Sequence, residues 1–129
     1  MQFTIETNKR EEIIDITKQV EDIVKKNGKK GGACLVYVPH ATCSIIVNEN
    51  YDEAVCGDIL RYLKKQIPSG IWEHDKIDNN GDAHIKASII GPSQIIPIEN
   101  GELQLGRWQG IALAEFDGPR ERKIIVKII

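Results

Sequence analysis

Three histidines, His40, His74 and His84, are the side chains in this 129-residue chain best suited to chemistry near neutral pH. Two of them lie in Trp72-Glu73-His74-Asp75-Lys76-Ile77-Asp78-Asn79-Asn80-Gly81-Asp82-Ala83-His84, a stretch that also carries three aspartates and two asparagines. No apolar period of 2.0 or 3.6 runs through it, so it is predicted to be a long loop. A long ordered loop in a small domain is usually functional, and its ten-residue spacing lets both imidazoles meet. A solvated acidic turn is the plain alternative. His40 stands just after an apolar run, and Asn48-Glu49 end the next one. Three neutral imidazoles can hold a divalent ion with an open position for water, the usual catalytic zinc arrangement. His40, His74 and His84 are therefore the candidate metal ligands. Asp75, Asp78 or Glu49 would orient their rings.

The elements that must position these groups follow from patterning. Gln2 to Thr7 alternates and reads as a strand, with Glu12-Ile13-Ile14 returning as its hairpin partner. Val20, Ile23 and Val24 lie on one face of a helix that begins near Asp15 or Thr17 and stops at Asn27-Gly28. Ala33 to Val38 is almost wholly apolar, as a central strand buried on both faces would be, and Pro39 ends it. Ser44 to Val47 is a further apolar strand. Asn50 and Glu53 form a capping box for a second helix, whose buried stripe is Val55, Ile59, Leu60 and Leu63 and whose stop is Pro68-Ser69-Gly70. Ile85 to Ile90 reads as a strand, with His84, Lys86 and Ser88 on one face. Ile95 to Ile98 reads as an edge strand because it contains Pro97, and Asn100-Gly101 is a turn. Gln109, Ile111, Leu113 and Glu115 share one face of a strand within Trp108 to Phe116, and Lys123 to Ile129 closes the fold. The expected class is α+β: one domain over residues 1–129, a mainly antiparallel β-sandwich with two helices.

Composition bounds the function. With 17 Lys and Arg against 19 Asp and Glu, the formal net charge is −2, which gives no electrostatic footprint for nucleic acid. No apolar run approaches the ~20 residues of a membrane span, and the N-terminus lacks a signal peptide's apolar core. Cys34, Cys43 and Cys56 have no metal-type spacing and fit reduced thiols, so a cytoplasmic location is expected. The abundance of Ile, Lys and Glu is a compositional cue for a thermophile.

Several motifs together, in order and across essentially the whole chain, resemble the signature of the YjbQ family, also known as secondary thiamine-phosphate synthase. They are Pro39-His40-Ala41-Thr42-Cys43-Ser44, Asn48-Glu49-Asn50-Tyr51-Asp52, Glu73-His74-Asp75, His84-Ile85-Lys86-Ala87-Ser88, and Gly106-Arg107-Trp108-Gln109-Gly110-Ile111 with Glu115. Two positions depart from it: Ala41, where Thr or Ser is usual, and Arg107, where Thr is usual. The resemblance implies a YjbQ-like α+β fold, a homotrimer and one pocket that gathers these polar positions. It also implies a transferase reaction that joins a pyrimidine diphosphate to a thiazole phosphate and releases pyrophosphate, an activity regarded as secondary in the family. On that reading His40, Asn48, Glu49, His74, His84, Gln109 and Glu115 are the candidate catalytic residues. Gln109 and Glu115 would position the heterocycle, opposite Asn48 and Glu49. Lys86, Arg107 and Arg120, with a divalent ion such as zinc or magnesium, would stabilise the departing pyrophosphate. The same cluster would also serve a small-molecule or metal-binding module, or a metal-dependent hydrolase with Glu49 or Glu115 as base.

Overall fold

The computed structural model describes residues 1–129 and contains eight strands and three α-helices. The strands are β1 (Gln2–Glu6), β2 (Glu12–Asp15), β3 (Gly31–Tyr37), β4 (Cys43–Asn48), β5 (Ser93–Glu99), β6 (Glu102–Leu103), β7 (Gly110–Glu115) and β8 (Glu121–Ile128). The helices are α1 (Thr17–Asn27), α2 (Glu53–Gln66) and α3 (Gly81–Ile90), with a 3-10 turn at Glu73–Lys76. A five-stranded sheet runs β1-β8-β3-β5-β6 and a three-stranded sheet runs β2-β7-β4, every pairing antiparallel. This is the α+β sandwich the patterning predicts, with one helix more.

The strand periodicity explains the layering. Cys34 and Val36 of β3, Ile96 and Ile98 of β5, and Ile124 and Val126 of β8 are buried from the large sheet. They meet Ile45, Ile111 and Leu113 of the small sheet, and Val20 and Val24 of α1 join the same cluster. The alternate residues of β7, Ala112 and Ala114, are buried too, because a second cluster of Ala83, Ala87, Ala114 and Phe116 lies on the far side of the small sheet. The small sheet is thus covered on both faces, by the large sheet and by α3. α2 packs its Leu60 and Leu63 against the same cluster but has no fully buried residue.

Four local expectations are revised. β1 and β2 do not form a hairpin: β1 pairs with β8, and β2 with β7, so the two strands belong to different sheets. β3 is buried on one face only, leaving Leu35 half-buried and Tyr37 exposed on the other. The cap of α2 is Asp52, whose Oδ1 accepts from the Ala54 amide at 2.8 Å, while Asn50 donates to Asp15 and to the Ile111 carbonyl. β5 is not the edge, since Asn100 and Gly101, both at positive φ, turn the chain so that β6 pairs alongside it.

The largest revision falls on the stretch from Trp72 to Ile90. Residues 73–76 form the 3-10 turn and residues 81–90 form α3, where a loop and a strand were expected. Asp75 ties the two pieces: its carboxylate accepts from the Trp72 amide at 3.1 Å and from the Gly81 amide at 2.8 Å. Those bonds hold the Asp75 carboxyl below its ordinary range. Gly81 is required because a Cβ there would stand 2.6 Å from the Trp72 Cβ.

The turn between β7 and β8 approaches the β1–β2 loop just as closely. The Gly118 amide donates to the Arg10 carbonyl at 3.0 Å, and a Cβ on Gly118 would run into the Lys9 carbonyl and lie 2.8 Å from Thr7 Oγ1. Backbone cannot swing aside as a side chain can. Gly118→Ala is expected to destabilise the protein by about 1–3 kcal/mol, as overpacking does. Chemical denaturation followed by circular dichroism measures it, and an unchanged midpoint would contradict the packing described.

Candidate functional site

At one end of the sandwich a polar cleft of about 540 Å³ opens. It is lined by His40, Thr42, Asn80, His84, Asp117, Pro119, Arg120, Glu121 and Arg122. Three parts of the fold supply it: the β3–β4 connection, the start of α3, and the β7–β8 turn running into β8. Its floor is a buried ion pair. Glu115 and Arg122 are both inward-facing residues of their strands and both are buried. Arg122 Nε donates to Glu115 Oε1 at 2.8 Å and Nη2 donates to Oε2 and, at 2.8 Å, to Thr42 Oγ1. Thr7 Oγ1 donates to Glu115 Oε1 at 2.8 Å, and the Asp117 amide donates to Glu115 Oε2 at 3.1 Å. Burial works against the charge on Arg122, but the hydrogen bonds to Glu115 outweigh it and raise the guanidinium pKa. Glu115 is therefore a structural anion with its acceptor capacity taken, which removes it as a free base.

His40 forms one wall. Its Nε2 accepts the Lys123 amide at 2.9 Å, so a neutral ring carries its proton on Nδ1. Burial and, next, the Arg122 charge push the His40 pKa down. The ring is thus a neutral hydrogen-bond donor around pH 7. Arg120 lies opposite, held by Asp117 through its carbonyl (2.8 Å) and its carboxylate (2.9 Å). Asp117 also accepts from Asn80 Nδ2 at 2.8 Å.

His84 reaches the cleft from α3, and its ring meets the His74 ring edge-on, with centroids 4.7 Å apart. Of the three imidazoles, then, two touch and the third shares the cleft with one of them. No set of three His, Cys, Asp or Glu side chains is placed to hold one ion, because the Lys123 amide occupies His40 Nε2 on the far wall.

The remaining expected residues lie elsewhere. Lys86 is fully buried, 3.0 Å from Asp82 and 3.1 Å from Glu11, with Arg10 completing the cluster through Asp82. Burial would raise the Asp82 carboxyl pKa, but the hydrogen bonds from Arg10 and Lys86 prevail and hold it low. This ammonium fixes α3 to the β1–β2 loop rather than facing a ligand. Asn48, at the end of β4, pairs with Gly110, whereas Glu115 pairs with Cys43 at the other end of the same ladder. At about 3.4 Å per residue those ends are roughly 17 Å apart. Asn48, Glu49, Arg107 and Gln109 therefore sit far from the cleft within one chain. There Gln109 accepts the Gly106 amide at 2.7 Å and Arg107 covers the Trp108 ring at 5.1 Å.

Thr42, Asn80, Asp117 and Arg122 join the site without having been singled out in the sequence. Arg122 left a signal: it alternates with Ile124 and Val126, so a charge falls on the buried face of a strand. Thr42, Asn80 and Asp117 left none beyond their proximity to named motifs.

The fold and this cleft define a class of small α+β sandwich proteins with a polar His/Arg cleft at one end. The family model described as "UPF0047 protein YjbQ-like" matches residues 1–129, and the chain belongs to that family. It is 46% identical to a UPF0047 protein of Archaeoglobus fulgidus, covering 100% of both chains. It is 45% identical to UPF0047 protein YugU of Bacillus subtilis, covering 97% of this chain and 95% of that one. Among solved structures, a YbjQ-like protein of unknown function from Sulfolobus solfataricus P2 superposes with a TM-score of 0.96 at 42% identity, over 99% of this chain and 94% of that one. A YjbQ/UPF0047 family protein from Clostridium acetobutylicum gives 0.96 at 47% identity, over 100% and 99%.

The depressed His40 pKa has a signed consequence. Unfolded, His40 takes up a proton near pH 6.5; folded, it does so only at lower pH. Its contribution to stability is fully present above the unfolded value and is lost as pH falls through the folded one. Between pH 7 and pH 5 the melting temperature of the wild type should therefore fall more steeply than that of His40→Gln. Parallel slopes would show that His40 is not held neutral.

Proposed function

We propose that the cleft binds a small phosphorylated molecule and supports slow formation of thiamine phosphate. The observation that carries this is the meeting of His40, His84 and Arg120 in one cleft whose lining includes no hydrophobic side chain. In the reaction the resemblance implies, a pyrimidine C–O bond breaks and its electrons leave with pyrophosphate, while the thiazole nitrogen forms the new C–N bond. Negative charge grows on the departing diphosphate, and preorganised donors stabilise it. The donors here are the His40 Nδ1–H, the Thr42 hydroxyl and Arg120. The lining carries two guanidiniums, Arg120 and Arg122, and two carboxylates, Asp117 and Glu121, so a diphosphate gains from an added cation. A bound divalent ion would supply that charge.

The test measures product and binding separately. With pyrimidine diphosphate, thiazole phosphate and a divalent ion, the wild type should release pyrophosphate slowly, and Arg120→Ala should lose about 10²–10³ of that rate, the scale of one transition-state donor. Pyrophosphate alone should raise the melting temperature. A rise without product would leave a binding module, a reading favoured by the fact that both guanidiniums are already engaged by Glu115 and Asp117. Neither a rise nor product would sink the phosphorylated-ligand reading. A hydrolase using Glu115 or Glu49 as base fits the geometry less well, since the first is fully buried and the second lies at the far end of the ladder.

Self-association is the second part of the proposal. On the outer face of the large sheet, Leu35 pairs with Ile95 and Tyr37 with Ile125, next to Ala33 and Pro97. Ile95 is 61% and Tyr37 37% exposed, and no helix covers them. An exposed apolar strip of this kind, bordered by Lys127 and Ser93, supports burial between subunits, and the proposed assembly is a homotrimer. Light scattering at micromolar concentration should return three times 14.5 kDa, and Ile95→Lys should lower that mass. A monomeric wild type would refute the assembly.

A further inference from the structure

Only two buried side-chain polar atoms in the chain lack a hydrogen-bond partner, His74 Nε2 and Asn80 Oδ1. Such atoms are rare in folded proteins, and each calls for an explanation. Both flank His84. Asn80 stands immediately before α3 and His84 four residues on, so the two side chains share one face of the helix. The His74 ring packs edge-on against the His84 ring at 4.7 Å. The orientation of Asn80 is fixed, because its Nδ2 donates to the Asp117 carboxylate at 2.8 Å. That leaves Oδ1 as a lone-pair donor with nothing to receive it. Asp78 Oδ2 stands 3.6 Å from His74 Nε2, beyond hydrogen-bonding distance, on a side chain that is 62% exposed and free to swing.

We propose that His74 and His84 hold a divalent transition-metal ion at the rim of the cleft, with Asn80 Oδ1 as a third donor and water or a bound phosphate completing the set. Edge-to-face packing alone accounts for two neighbouring rings, but it leaves His74 Nε2 and Asn80 Oδ1 buried and unpaired. An ion satisfies both. With Zn–N bonds of about 2.0–2.1 Å, two imidazoles on one ion must be close neighbours, as these are. Imidazole donors select zinc, copper, nickel or cobalt, whereas magnesium prefers oxygen ligands. His40 is not in the set, since its Nε2 is taken by the Lys123 amide. The supporting shell is built: Asp117 orients Asn80, and the Asp75 carboxylate pins the 3-10 turn carrying His74 to the first residue of α3. The inference deepens the reading of the cleft as a phosphate site by naming where its added cation sits.

The test uses the tag-free full chain, stripped with chelator, and cobalt(II) alone in phosphate-free buffer. The wild type should develop visible ligand-field absorption that saturates at one equivalent and is displaced by zinc. His74→Gln and His84→Gln should lose it, and His40→Gln should keep it. Asn80→Ala should weaken binding about 10–100-fold, as loss of a supporting ligand does. Circular dichroism of the stripped variants checks folding, and a zinc-dependent rise in the wild-type melting temperature provides a readout that needs no variant. Absence of both the absorption and the rise in the wild type would overturn the site, as would its loss in His40→Gln with retention in His84→Gln. Because no phosphate is present, failure here leaves the pyrophosphate result standing, and the reverse holds too.

Discussion

The end of the molecule that carries the cleft depends on the buried pair Glu115–Arg122. On β7 the inward residues run Ile111, Leu113, Glu115, and on β8 they run Val126, Ile124, Arg122. The apolar contact between the sheets thus ends in an ion pair rather than in solvent. Taking both charges out of water is costly, and the arrangement is tolerable because both carboxylate oxygens and the Nε and Nη2 of the guanidinium are hydrogen-bonded. Thr7 and the Asp117 amide complete the carboxylate, and Thr42 accepts from Nη2 of the guanidinium. Removing one partner of such a pair strands the other charge, a loss of about 3–5 kcal/mol. One interaction therefore fixes the end of β1, the entry to β4, and strands β7 and β8. His40 stands two residues from Thr42 and Arg120 two from Arg122, so both walls of the cleft inherit their placement from its floor.

The third wall is held differently. α3 is clamped by Lys86 and Asp82, which lie four apart on one face and meet Arg10 and Glu11 from the β1–β2 loop. Asn80 and His84 are also four apart, but two residues out of phase, which is roughly 200° around the helix. The helix is anchored on one side and presents its polar pair on the other. Phe116 contributes to the anchor, its ring 5.9 Å from the Lys86 ammonium. A buried lysine with two carboxylates is thus a locating pin for His84, and the motif His84-Ile85-Lys86 carries one residue for the cleft and one for the scaffold.

This division explains why so much of the fold was legible in the sequence and α3 was not. α1 was readable because Val20, Ile23 and Val24 form an apolar face and Gly28 ends it in the left-handed conformation. The turn at Asn100-Gly101 was readable because few residues other than Asn and Gly accept positive φ. In α3 the usual rule inverts: Lys86 and Asp82 are buried while Ile89 is 68% exposed. The apolar stripe is only Ala83, Ala87 and Ile90, two of them small, and His-Ile-Lys-Ala-Ser-Ile alternates as a strand would. Likewise β1 and β2 looked like a hairpin because both are short and apolar on one side. Which sheet each joins is decided by partners more than a hundred residues away in sequence, Arg122 for Ile5 and Glu115 for Glu12.

The candidate site was legible as residues but not as geometry. His40, His84 and Arg120 meet as expected, whereas Lys86 and Glu115 turn inward to neutralise other charges. Asn48, Glu49, Arg107 and Gln109 fall at the opposite end of the β4–β7 ladder. Sequence shows that a charged residue is present; it does not show whether a counter-charge reaches it first. In the folded chain the counter-charges do: Arg122 is taken by Glu115, Arg120 by Asp117 and Lys86 by Asp82 and Glu11. What stays unpaired is a set of neutral donors and acceptors, the His40 Nδ1–H, the His74 and His84 rings and the Asn80 carbonyl. Electrostatic attraction in such a cleft cannot come from its arginines alone, because at close range their fields are cancelled by the carboxylates that orient them. It must come with the ligand or with an ion, and the unpaired nitrogen and oxygen atoms around His84 are the atoms to which an ion would bind.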